Sequence, residues 1–78
     1  MKRVKLEWEE NLGTWEGKKG IFLGRVVKVN EFEYGDNITW RVLVDGNAVA
    51  MGMAKTIELA QIECERVFYK IASAVLEG

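Results

Sequence analysis

Asp45-Gly46 constrains the fold more than any other pair in this sequence. It separates residues 38–44, where Ile38, Trp40, Val42 and Val44 alternate with Thr39, Arg41 and Leu43, from Asn47 and the apolar segment 48–53. A two-residue type I′ turn needs positive φ at both central positions. Asp-Gly between two β-like runs is the strongest short signal for it. The spacing therefore predicts an antiparallel hairpin, and no proline occurs anywhere in the chain to interrupt it.

The same period of two recurs upstream. Val4, Leu6 and Trp8 alternate with Lys5, Glu7 and Glu9, the signature of a half-buried strand. Asn11-Leu12-Gly13 reads as a turn, Thr14-Trp15-Glu16 as a short strand, and Gly17-Lys18-Lys19-Gly20 as a second turn. Over 21–29, Ile21, Leu23, Val27 and Val29 form one face. Phe22, Val26 and Lys28 form the other, which is partly apolar too and so is expected to be partly covered or to meet a partner. Within 31–37, Tyr34-Gly35-Asp36-Asn37 supplies a polar hairpin connection.

From residue 56 the period becomes helical. Thr56 suits the N-cap, and Glu58 lies in the first turn, near the positive end of the helix dipole. At about 100° per residue, Ile57, Ala60, Cys64, Val67, Phe68, Ile71 and Val75 gather on one face. The expected fold class is α+β: a four- to five-stranded antiparallel sheet of β-hairpins packed against one long C-terminal helix, about residues 56–77. Residues 1–78 are expected to form a single domain.

Composition limits the function. At 78 residues there is room for one core, and domains this short bury only about 60% of their unfolded surface, so oligomerisation is a common remedy. The longest apolar run, residues 48–54, is far too short to cross a bilayer, and the charged, alternating N-terminus has no leader-like apolar stretch. A cytoplasmic location is expected. Eleven basic and twelve acidic residues give a net charge of −1, with no global attraction to nucleic acid or anionic membrane.

Chemistry is sparsely represented. There is no histidine, so the commonest general base and zinc ligand are both missing. The one cysteine, Cys64, sits on the core face of the helix and reads as a small buried hydrophobe. Gly17-Lys18-Lys19-Gly20 lacks the spacing of a phosphate loop and precedes a strand. No catalytic, cofactor or metal site is expected, and the chain reads as non-enzymatic.

Lys18, Lys19, Arg25, Lys28 and Arg41 leave a small nucleic-acid-binding accessory role open. The strand-then-helix order is similar to that of double-stranded-RNA-binding domains. However, the first helix of that domain is missing, and the lysine cluster of its final helix is reduced to Lys55.

A protein partner is the stronger expectation. Ile62, Tyr69 and Leu76 recur every seven residues, with Leu59 nearby, away from the core stripe. One sheet does not require such an apolar row on that side. Trp15, between turns, is a candidate anchor, and Glu58 and Glu65 are candidate flanking carboxylates. The same stripe would also serve a homodimer through the C-terminal helix, or a homo-oligomeric virion-associated protein.

Leu6-Glu7-Trp8, Trp15-Glu16-Gly17, Gly24-Arg25-Val26, Trp40-Arg41-Val42, Asp45-Gly46, Gly52-Met53-Ala54 and the helix from Thr56 follow one another in a familiar order. Across nearly the whole chain, this order resembles small uncharacterised phage and prophage proteins of the sheet-plus-helix type. In size and kind these are similar to anti-CRISPR and other anti-defence inhibitors. The resemblance implies a stoichiometric inhibitor that binds a host protein complex in the host cytoplasm. It assigns no functional residue.

Overall fold

The computed structural model describes residues 5–31 and 35–77, with side chains placed within 5–28 and 38–74. The described residues form β1 (Glu7–Asn11), β2 (Thr14–Lys19), β3 (Phe22–Glu31), β4 (Gly35–Val44), β5 (Asn47–Ala54) and α1 (Ile57–Glu77). The strands make one antiparallel meander in sequence order, and α1 lies over β3, β4 and β5. Short turns pair each strand with those before and after it in sequence. Val4 lies outside the described residues, as does the part of the expected 31–37 connection at 32–34; Gly35-Asp36-Asn37 opens β4.

The turns follow their chemistry. Asp45 and Gly46 have φ of 53° and 81°, as a type I′ turn requires. Leu12 and Gly13 take the same pair of conformations at 53° and 82°, although leucine is a poor residue for the left-handed region. The turn expected at 17–20 is displaced. Gly17 and both lysines belong to β2, and the chain reverses at Gly20-Ile21.

Side-chain alternation sorts each strand into two faces. The face under α1 carries two cross-strand rows, Trp8-Gly17-Gly24-Val42-Ala50 and Trp15-Val26-Trp40-Gly52. With Leu6 and Ile38, the buried Val26 and Val42 meet Ala60, Cys64 and Phe68 from the helix. Phe22 stacks on Phe68 with ring centroids 4.8 Å apart and planes 29° apart. Phe68 is fully buried, which contributes about 2–3 kcal/mol.

On β3 it is therefore the Phe22, Val26 and Lys28 set that faces the helix; Leu23 and Val27 point away from it. The reason lies in two glycines. A Cβ on Gly17 would sit 2.7 Å from the Trp8 ring, and one on Gly24 would sit 2.9 Å from it. The core-facing row lacks side chains at Gly17 and Gly24 because the Trp8 indole fills the space above them.

The helix begins as expected, with the Leu59 N–H donating to Thr56 Oγ1 at 3.0 Å. No helix among the described residues is long and apolar enough to cross a membrane.

Candidate functional site

The helix stripe divides when placed on the fold. Glu58, Ile62, Glu65 and Tyr69 follow a 4-3-4 spacing that puts them on one flank of α1. Ile62 and Tyr69 are half-buried, Glu58 is exposed, and the side chain of Leu76 lies outside the described residues, as does that of Val75. Leu59 is 49% exposed on a different side of the helix. Lys5, Trp8, Glu58, Ile62 and Glu65 line a groove of about 330 Å³ between the N-terminal segment and α1.

Glu65 is not a solvated flanking carboxylate. It is only 6% exposed, and its Oε2 accepts two hydrogen bonds of 3.0 Å, from the Leu6 backbone N–H and from Trp8 Nε1. A buried carboxylate is tolerated only when such donors surround it. Its role here is to tie the start of the sheet to the helix.

Trp15 is likewise no exposed anchor. It stands in β2 opposite Val26 and packs against the core while half-buried. Cys64 is buried between the two layers, its Sγ 3.9 Å from the Arg41 carbonyl oxygen. Burial, then the charges of Glu65 and Glu63, push its thiol pKa up to about 12. That suppresses the thiolate on which cysteine reactivity depends.

No described element covers the sheet face away from α1. Across β3, β4 and β5 it carries Leu23, Arg25, Val27, Thr39, Arg41, Leu43, Met51 and Met53, in alternation with the core positions. Met51 and Met53 are 65% and 62% exposed. Arg25, Val27, Thr39, Arg41 and the two methionines line a groove of about 340 Å³. Beside it, an extra residue in β5 opposite Val42 and Leu43 makes a bulge, and Val49 there is 51% exposed.

Charge on this face is segregated. The central cross-strand row reads Glu9, Glu16, Arg25, Arg41, Met51. Arg25 is held by Glu16, with Nη2–Oε2 at 2.8 Å and Nε–Oε2 at 3.0 Å. Arg41 is exposed and has no ion pair among the described residues.

The basic residues read from the sequence do not converge. Lys18, Arg25 and Arg41 are on the bare face, while Lys19 and Lys28 are on the helix side of the sheet. Among the described residues no three potential metal ligands cluster.

Sequence reasoning missed the bare face as a site. Its signal was present, because Leu23, Val27 and Leu43 make β3 and β4 apolar on both sides. A strand of a sheet covered on one side only would alternate more cleanly. Compared with known proteins, the chain matches no family model, no curated relative and no solved structure.

Proposed function

We propose that this chain is a non-enzymatic protein-binding module that acts by covering a surface of a larger partner. In its finer form the proposal is a stoichiometric inhibitor of a host defence complex in the host cytoplasm, as the resemblance to small phage proteins implies. The observation that carries the reading is the uncovered side of β3–β5, where Met51 and Met53 stand more than 60% exposed beside a groove. Neighbouring exposed apolar side chains on an uncovered sheet face are costly in water and mark interaction sites. Methionine also adapts its shape to the partner it meets. The groove beside Ile62, of similar volume, offers a second surface on the same domain.

Capture from a bacterial lysate on the immobilised chain tests the reading. Met51→Glu should abolish a stoichiometric partner that Ile62→Asp and Tyr69→Ala retain. An empty capture, or a partner indifferent to Met51→Glu, overturns the assignment of this face.

A further inference from the structure

On the bare face, Arg25 and Arg41 are directly opposite across β3 and β4. Opposed residues on neighbouring strands have Cα atoms about 4.5–5.5 Å apart, so like charges there repel. Glu16 neutralises Arg25 alone, through a single oxygen. The remaining outward carboxylates of the row system, Glu7 and Glu9, are on β1, two and more strands away. Among the described side chains, the β3–β5 half of this face has two guanidiniums and no carboxylate of its own. It is one negative charge short, and the groove that Arg25 and Arg41 line is completed by Val27, Thr39, Met51 and Met53, with Trp40 and Gly52 from the core-facing row at its floor.

We infer that this groove takes an acidic, apolar-flanked segment of a partner protein, with a carboxylate seated between Arg25 and Arg41 and apolar side chains against Met51 and Met53. The inference rests on the protein-binding reading and adds the chemistry of the partner. An incoming carboxylate relieves the Arg25–Arg41 repulsion and makes charge-assisted hydrogen bonds to a fork that Glu16 already orients. The methionines lie one strand further on and supply adaptable apolar contact. Nucleic acid fits less well. The one aromatic residue lining the groove, Trp40, belongs to a core-facing row and packs against the core, so no outward position of the described strands offers a ring for base stacking, and the β1–β2 half of the face is acidic.

Selection of a displayed random dodecapeptide library on the immobilised chain tests this without presuming a sequence. Peptides enriched on the wild type should carry Asp or Glu beside apolar residues. They should bind Arg41→Glu and Met51→Glu at least about tenfold more weakly, while selection on Arg41→Glu should turn to Lys and Arg. Amide NMR spectra of both variants confirm that the fold is kept, and Arg41→Gln provides a milder variant with the charge removed.

Neutral or basic consensus peptides, equal binding to Arg41→Glu and Arg41→Gln, or no enrichment would overturn the inference. So would self-association, or oligonucleotide binding, that depends on Arg41. The two readings fail separately. A captured partner lost with Met51→Glu but kept with Arg41→Glu leaves the binding face standing and removes its acidic ligand.

Discussion

Trp8 and Glu65, 57 residues apart in sequence, are joined by a 3.0 Å hydrogen bond from the indole Nε1 to the carboxylate Oε2. The same oxygen accepts the Leu6 backbone N–H at 3.0 Å. The helix otherwise lies over β3, β4 and β5, so this pair of bonds links the first strand to it. One buried carboxylate thus closes the sheet-helix sandwich at its β1 end.

Removing that acceptor leaves two donors without a partner. Glu65→Ala is expected to cost about 3 kcal/mol in urea unfolding, and Glu65→Gln, which keeps one acceptor oxygen, about 1 kcal/mol. Equal, small losses for both would show that the bonds contribute little.

Trp8 and the glycines beneath it form one packing unit. A Cβ at Gly24 would meet Trp8 Cη2 at 2.9 Å, Leu6 Cδ1 at 3.1 Å and Cys64 Cβ at 3.2 Å. Gly24→Ala should therefore destabilise by about 1–3 kcal/mol. In a double-mutant cycle, Trp8→Leu should recover part of that loss, with coupling of roughly 0.5 kcal/mol or more. Strict additivity would contradict the contact.

Cys64 supplies a test by pH and by reagent. Its folded pKa is raised to about 12, above the ordinary value of 9.0, first by burial and then by Glu65 and Glu63. Between these values the unfolded chain releases the thiol proton and the folded chain keeps it. Stability therefore falls as pH rises from 9 towards 12, and Cys64→Ala should remove that component of the slope. At pH 8 a thiol reagent should modify the protein only as fast as it opens.

Leu12 is the poorest local choice in the fold. It is 98% exposed and held at a φ of 53°. Leu12→Asn should stabilise the hairpin by about 0.5–1 kcal/mol, read as a higher urea midpoint with an unchanged slope. A loss of stability would mean that the leucine makes a contact worth more than its backbone cost.

The elements that sequence reading recovers are those encoded locally. Asp45-Gly46 names its own turn, Thr56 its own cap, and the 3.6-residue period of Ala60, Cys64 and Phe68 its own buried stripe. What it misses depends on residues far apart. Gly17 and Gly24 face the core without side chains, because Trp8 from another strand lies over them, so counting apolar side chains favours the wrong face of β3. Glu65 reads as one more surface glutamate because its donors, Leu6 and Trp8, are nearly sixty positions away. The bare face follows from the same reversal. Once Val26 points to the helix, Leu23 and Val27 must point to solvent, beside Met51 and Met53.

If this protein meets its partner through the uncovered side of β3–β5, methyl NMR of the chain labelled at its methionine methyl groups, free and with the captured partner, will show it. The Met51 and Met53 signals should shift or broaden at one equivalent of partner, and Met51→Glu should abolish binding. Bound partner with both signals unmoved would place the contact elsewhere on the domain and contradict the account.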